Sequence, residues 1–480
     1  MYFRILILLM AISAATSGCR RENSCDRFIK GIDTSFEKGN FTEMVMLSDS
    51  LKITCEEESS AILLADSLIN ISARIRLDFS YDRGQIIERI ERLAGEVTDE
   101  DIKYWESKRW LEFRIIDGEK RYFNRAASNL MLLRGFYENR EERLMAVNRD
   151  PRMISRLKHT ESILNASGTD AEPVIPVDMI VTFTVTVYPD EVPPGEIVRC
   201  WIPWPKGSHP RQKPPEFISS SEQDYMISPD TSIHRSIYME KKAEESMPVV
   251  FRVKYRYQSA GQYFNMNKTR VLPYNTASDI YRKYTSEQLP QICFTENVRR
   301  LADSIAGTDD DPVMTVRKFY LWFKEDIPWT GALEYSIMPN IPEYVITNRR
   351  GDCGMQTLLF MSMLRYKGIP VRWQSGWMVP PGSENLHDWC EIYFEGTGWV
   401  PADISYYLQN SFNRELKEFY ISGIDSYRLI ANDGIAGSFI PDKRFLRSDP
   451  YDFQRGEVEW KGGNLYYDQW DYEMEIEYLK

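Results

Sequence analysis

Apolar residues return every three or four positions between residues 24 and 165. Phe28, Ile32 and Phe36 form one such stripe, Ala61, Ala65, Leu68, Ser72 and Ile75 a second, and Ile86, Ile90 and Leu93 a third. A period near 3.6 lays each set along one helix face, so this region is predicted to be mainly helical. Gly39-Asn40 separates the first two helices. Asp117-Gly118, between residues 112–116 and 119–123, is the dipeptide of a tight hairpin. Beyond residue 176 the period drops to two. Met179, Val181, Phe183, Val185 and Val187 alternate with Ile180, Thr182, Thr184 and Thr186. Val249, Phe251, Val253, Tyr255 and Tyr257 alternate with Arg252, Lys254 and Arg256. Each run puts one apolar face on a strand. With strand-like residues 197–202 and a Pro-rich stretch over 203–215 between them, they predict an antiparallel β-sandwich over 176–265. Residues 166–175 read as a linker.

From about 275 the pattern is mixed. Asp311-Pro312 is a helix cap followed by proline at the first helical position. Val313, Val316, Phe319, Tyr320 and Phe323 then share one face. A loop is expected over 328–350, a helix over 353–366 ended by Gly368 and Pro370, and strands over 371–376, 387–394 and 399–404. The last two strands are joined by the turn Glu395-Gly396-Thr397-Gly398. Residues 405–480 are rich in Tyr, Trp and Asp, and 464–479 is predicted to add a strand.

The chain has 480 residues, which suits two to four domains. A hydrophobic fraction of 43% and a charged fraction of 27% describe globular domains, and a net charge of -12 argues against a nucleic-acid partner. The first residues are a separate matter. Arg4 precedes an apolar run over 5–15, too short to span a bilayer. The run ends in Ala15-Thr16-Ser17-Gly18-Cys19, which resembles a bacterial lipobox. The resemblance implies cleavage before Cys19 and lipid attachment to its sulfur, so residues 1–18 are read as a signal peptide. The expected location is then the cell envelope, with the chain lipid-anchored at the outer membrane or facing the periplasm. Of the seven cysteines, Cys25 and Cys55 lie in the helical region and are free to pair, although spacing does not decide it.

The chemistry gathers around Arg349-Arg350-Gly351-Asp352-Cys353-Gly354, which opens the helix at 353. A helix start favours a thiolate through its free N–H groups and positive dipole end, although Asp352 opposes this if it faces the sulfur. Gly351 and Gly354 are expected to leave room for an acyl group. Of four histidines, only His387 lies in the mixed region, at the start of a strand, and Asp403 follows on the next strand. Imidazole is a suitable base for a thiol, and a carboxylate fixes the imidazole's tautomer. A two-residue hairpin about Gly396-Thr397 would set Asp403 opposite Cys390 and away from His387, so a bulge near Pro401 or a longer loop is required. A metal set of Cys353, His387 and Cys390 fails on geometry, because residues three apart on a strand face opposite sides. No metal or cofactor is expected.

The run from 349 to 404 resembles the bacterial transglutaminase-like superfamily. Gly351-Asp352-Cys353, Leu364-Arg365, Gly368-Ile369-Pro370-Val371-Arg372, Gly376, His387-Asp388-Trp389 and Gly398-Trp399-Val400-Pro401-Ala402-Asp403 carry the likeness. Trp201-Ile202-Pro203 also resembles modules that precede this core. The resemblance implies a papain-like cysteine fold and a Cys353–His387–Asp403 triad. It implies attack on an amide or peptide carbonyl through a thioester, by a peptidase, an amidase or an acyl transferase. Trp329 stands where some members place a tryptophan that donates to the oxyanion, although a core or loop-anchoring role fits its spacing equally. The competing readings are an inactive envelope binding protein that kept the fold and a glycan-binding role for residues 405–480. The expected fold class is multidomain α+β. Its parts are the signal peptide 1–18, a mainly helical domain 19–165, the sandwich 176–265, a transglutaminase-like domain 275–420, and an extension 421–480 packed on that domain. The expected partners are a protein or peptide substrate and, through the anchor, a membrane.

The anchor is testable directly. Wild-type protein is expected to partition with membranes and Cys19→Ala to leave them; equal partitioning of both would end the lipoprotein reading.

Overall fold

The structure is a computed structural model that describes residues 24–55, 59–139, 149–168, 171–267, 271–308, 310–406 and 413–479. The signal segment and Cys19 lie outside the described residues. Two compact units are present: residues 1–140 with 330–340, and residues 141–329 with 341–480.

In the first unit, helices α1 (Ser24–Lys38), α2 (Phe41–Thr54), α3 (Ser59–Asp78), α4 (Arg83–Ala94) and α5 (Asp99–Ser107) precede hairpin β1 (Phe113–Ile116) and β2 (Glu119–Tyr122), and α6 (Ala126–Tyr137) follows. The predicted stripes are the buried ones: Ile32, Ala65, Leu68, Ile75, Ile86 and Ile90 are all within the core. Cys25 and Cys55 form a disulfide that ties the start of α1 to the end of α2, with Cα atoms 6.0 Å apart. Residues 330–340, expected as part of a loop, belong to this unit. Asn129 exchanges two 2.8 Å hydrogen bonds with the backbone of Gly331, and Asp78 accepts from Glu334 N–H at 2.8 Å.

The second unit begins with α7 (Pro151–Ala166), whose proline sits behind the cap Asp150. Strands β3 (Val174–Val187), β4 (Ile197–Pro203), β5 (Glu216–Ser220), β6 (Tyr225–Ile227), β7 (Ser236–Lys242) and β8 (Val249–Tyr263) follow. Then come α8 (Asp279–Tyr284), α9 (Glu296–Ala306), α10 (Pro312–Asp326), α11 (Ile341–Asn348) and α12 (Cys353–Tyr366). Last are β9 (Val371–Met378), β10 (Asn385–Phe394), β11 (Gly398–Ala402), α13 (Arg414–Lys417), β12 (Gly423–Ile424), β13 (Arg428–Asn432), β14 (Glu457–Trp460), β15 (Gly463–Leu465) and β16 (Trp470–Tyr478).

The sandwich is built as the alternation predicts. β3 and β8 pair antiparallel with Phe183 opposite Val253, and their alternate residues are buried. Its extent differs from the predicted 176–265. One sheet has the order β12-β8-β3-β16, with β5 also on β8; the other has the order β15-β14-β4-β7-β6. Residues after 421 therefore do more than pack on the site domain. β13 pairs with β9, whereas β12, β14, β15 and β16 complete the sandwich. The reason is edge satisfaction: β3 and β4 would otherwise each present a row of unpaired backbone groups.

The site domain is a four-stranded sheet, β11-β10-β9-β13, with α12 against β9 and β10. α12 is buried on all sides from Cys353 to Arg365, which explains why its sequence carries apolar residues without a polar face. One core joins sheet and sandwich: Trp377, Val379, Leu429 and Ala431 cluster with Phe183, Phe251 and Val253. The expected loop over 328–350 contains α11.

Gly376 fixes how closely β13 lies on β9. Its φ is +155°, and a Cβ there would stand 2.0 Å from the carbonyl oxygen of Leu429. Gly376→Ala is expected to cost about 3 kcal/mol through forced strand displacement. Gly382→Ala, at a φ of +72° with nothing within 4 Å, is expected to cost about 1 kcal/mol. Urea midpoints of the two variants check this contrast.

Candidate active site

Asp352 caps α12 by accepting from Met355 N–H at 2.9 Å, which leaves Cys353 as the first helical residue. The N–H of a residue in this position has no partner within its helix. Gly351 is needed for packing: a Cβ would meet Met355 Cβ at 2.9 Å and Val345 Cγ2 at 3.2 Å. This closeness, rather than room for substrate, accounts for the glycine. Trp329 is half-buried and forms a parallel bridge with Gly351, so its backbone lies beside the chain that leads into Cys353.

His387 and Asp403 meet. Nε2 of His387 lies 2.7 Å from Oδ2 of Asp403, and both side chains are buried. The register explains how. Phe394 pairs with Gly398 and Cys390 with Ala402, so three residues rather than two form the turn. That one-residue change reverses the side to which the second strand's residues point. Asp403 then faces the same side as His387, and no bulge is needed. Ser405 N–H, Ser405 Oγ and Tyr406 N–H donate to the other carboxylate oxygen at 3.2, 3.1 and 3.2 Å.

Arg428, which the sequence reading passed over, completes this arrangement. Its Nη1 forms an ion pair with Asp403 Oδ2 at 2.9 Å, and its Nη2 and Nε donate to Asp425 Oδ2 at 2.9 and 3.1 Å. Its guanidinium lies 4.3 Å from the Tyr406 ring centre, and Arg156 covers the same ring at 3.7 Å. Lys324 Nζ donates to the Tyr406 carbonyl. Burial pulls the Lys324 ammonium down to about 7 against the attraction of Asp403.

The electrostatics assign the protons. Burial pushes the Asp403 carboxyl up, but His387, Arg428 and Lys324 together hold it well below the usual carboxylate range. An ionised Asp403 accepts, so His387 Nε2 carries the proton and Nδ1 is the basic nitrogen. Burial lowers the His387 imidazole, with Asp403 opposing. Burial thus favours the neutral ring.

Cys353 is placed differently from the expectation. Its thiol donates to Asp388 Oδ2 at 3.3 Å, on the residue next to His387. Among the described residues no hydrogen bond joins the thiol to the imidazole. Burial, then Asp388 and Asp352, push the thiol well above its ordinary range. The lowering expected from the helix end is thus reversed, because two carboxyls are the thiol's charged neighbours. Asp388 stands among acids of its own: it is hydrogen-bonded to Asp452, and Gln454 Nε2 donates to its Oδ1 at 2.8 Å. Sequence offered one hint, the acid in His387-Asp388-Trp389; Asp452 carried none.

Cys390 is buried, with its thiol directed at the Ala402 carbonyl at 3.5 Å. Among the described residues no group of three or more His, Cys, Asp and Glu is set to hold a metal ion.

Residues 299–404 match the family model described as the transglutaminase-like superfamily. The match encloses Cys353, His387 and Asp403 and ends one residue beyond the last. The chain thus carries a transglutaminase-like domain within a multidomain α+β fold. Among solved structures, a candidate cysteine protease from Cytophaga hutchinsonii is 12% identical with a TM-score of 0.43, covering 64% of this chain and 92% of its own. The periplasmic domain of TgpA from Pseudomonas aeruginosa is 15% identical with a TM-score of 0.23, covering 47% and 88%. Neither likeness is close enough to carry a functional assignment. No curated protein matches the chain.

The buried charges give a stability signature. Asp403 and Asp425, the latter held at about 2, have folded pKa values below their unfolded ones. Their contribution is present above the unfolded pKa of about 3.9 and is lost as pH falls through the folded values. Arg428→Met is expected to cost about 3–5 kcal/mol at pH 7 by stranding both carboxylates. The deficit against wild type should shrink as pH drops below about 4. Urea unfolding of both proteins at pH 7 and pH 3 reads this out.

Proposed function

We propose that this chain, which carries a transglutaminase-like domain over residues 299–404, is a cysteine enzyme acting on amide or peptide carbonyls. The observation that carries the reading is the buried 2.7 Å contact of His387 Nε2 with an ionised Asp403, one residue along the strand from the carboxyl that holds the Cys353 thiol. Asp403 fixes the tautomer that leaves Nδ1 basic. The Cys353 proton passes to Nδ1 as sulfur attacks the carbonyl carbon, and the carbonyl electron pair moves to oxygen. The N–H of Cys353 is a natural donor to that oxyanion, and Trp329, alongside Gly351, is the candidate second donor. Imidazolium then returns the proton to the leaving amine, and the thioester forms. Water or a second amine resolves it, which makes the enzyme a peptidase or amidase in one case and an acyl transferase in the other. In this reading the enzyme works at the cell envelope, anchored through Cys19, on protein or peptide substrates. Among the described residues no helix is long and apolar enough to cross a membrane.

One observation favours a second reading, an inactive binding protein. The thiol is engaged by a carboxyl and held neutral, the reverse of an activated nucleophile.

Trapping separates the two. Wild-type protein exposed to envelope peptides and quenched in acid is expected to carry an acyl group on Cys353 by peptide mass mapping. Cys353→Ala should carry none. Asp403→Asn should accumulate it about 10⁴-fold more slowly, by analogy with a serine triad. A wild-type Cys353 that stays unmodified under all conditions would favour the binding protein.

A further inference from the structure

The acids beside the thiol are not needed by a Cys–His–Asp mechanism, and they are costly to bury. Asp388 and Asp452 are 3% exposed each. They are hydrogen-bonded to one another. Two buried carboxyls joined in this way share a proton, because both cannot be ionised in a dry site. The rest of the surroundings hold this pair in place. Gln454 donates to Asp388 Oδ1 at 2.8 Å, Ser375 Oγ donates to Asp452 Oδ1, and Asn432 Nδ2 donates to the same oxygen at 3.3 Å. Three of the four carboxyl oxygens thus have a named partner, and Asp388 Oδ2 is the one turned to Cys353 Sγ.

We infer that Asp388, paired with Asp452, is a positioning residue of this site: it accepts the hydrogen bond of the resting thiol and keeps Cys353 neutral until the proton is drawn to His387. This rests on the proposed enzyme reading for its purpose but not for its test. Releasing the sulfur breaks only weak hydrogen bonds to Asp388, since a thiol is a poor donor and sulfur a weak acceptor. No bond to carbon changes, and the proton stays on sulfur until Nδ1 takes it.

The charged and titratable groups facing the pair come from three elements. Cys353 opens α12 and Asp352 caps it, and His387 precedes Asp388 on β10. Asp449, Arg447 and Arg455 come from the segment between β13 and β14. Burial and Asp452 lift Asp449 to about 7, with Arg455 opposing. Arg447 is 2.9 Å from His234 Nδ1 and acts on Asp452. Burial and the neighbouring carboxylates Asp452 and Asp352 push Asp388 itself well up, in keeping with a shared proton.

The two members of the pair should affect the thiol in opposite senses. Asp388→Asn removes the thiol's acceptor and leaves the pair's single negative charge on Asp452, farther along the network from sulfur, so the pH midpoint of Cys353 alkylation should fall by at least about one unit, a tenfold gain in rate at pH 7. Asp452→Asn leaves Asp388 with no carboxyl to share its proton and an amide that donates to it. Asp388 then stays charged, and the midpoint should rise. The measurement is site-resolved iodoacetamide labelling against pH, with N-acetylcysteine as the free-thiol standard. The midpoint is read rather than the rate, because burial slows labelling at every pH alike. Wild-type Cys353 should titrate above the standard. Midpoints that move together in the two variants, or a wild-type midpoint at or below the standard, would overturn the inference. If either variant fails to fold, the wild-type midpoint and the remaining variant still decide it. Opposite shifts without any trapped acyl group would leave the inference standing and remove the enzyme reading.

Discussion

One carboxylate, Asp403, holds the site together. Its Oδ2 is shared between the imidazole of His387 and the guanidinium of Arg428, where none of the three has appreciable contact with water. A buried ion pair of this kind adds little to stability in net terms, but breaking it leaves a charge with nowhere to go. The neighbouring parts follow from that constraint. Asp425 balances the second half of the guanidinium, Tyr406 and Arg156 roof it, and the turn at 395–397 has to have the length that aims Asp403 inward. Arg428 also limits Asp403 as a base. A carboxylate facing a guanidinium orients the imidazole without taking its proton.

Sandwich and site sheet act as one body in mechanical terms. Trp377 on β9 contacts Phe183 on β3 edge to face at 5.8 Å, and its indole N–H donates to the Gln454 carbonyl at 3.0 Å. The residue that buttresses Asp388 is therefore tied to the strand that carries the sandwich core. Another such tie runs through Glu391, on the same face of β10 as His387. It bonds His209 at 2.9 Å and Arg372 Nε at 2.7 Å. Burial opposes its ionisation, yet His209, Arg372 and Arg211 hold it well below the usual range. Rigid support of this kind keeps a constellation in place to fractions of an ångström.

Much of the fold was legible because burial writes a period into the chain. The strands at 179–187 and 249–257, the hairpin at Asp117-Gly118 and the helix opening at Cys353 all follow from it. The meeting of His387 and Asp403 was legible from residue types but not from register, since the parity of a strand hangs on one residue of turn length. Arg428, Asp425, Asp452 and Gln454 were not legible. They come from distant segments, and a lone Arg or Asp has the same appearance on a surface as in a core. The thiol's environment was misjudged for a related reason. A helix end is a local feature, whereas the acids that outweigh it arrive through tertiary structure. The sandwich's true extent escaped for the same cause: its last strands lie on the far side of the site domain in sequence.

That interleaving has a consequence in time. β16 pairs with β3 across roughly three hundred residues of chain, and β14 pairs with β4 across almost as many. During synthesis, the strands made first wait with bare edges while the whole site domain is translated, and such edges invite aggregation. The same wait delays reactivity. A nascent chain that already has its cysteine, histidine and aspartate still lacks the arginine that sets the aspartate and the acids that quiet the thiol. Maturation of the site is thus tied to closure of a sheet that belongs to another part of the molecule.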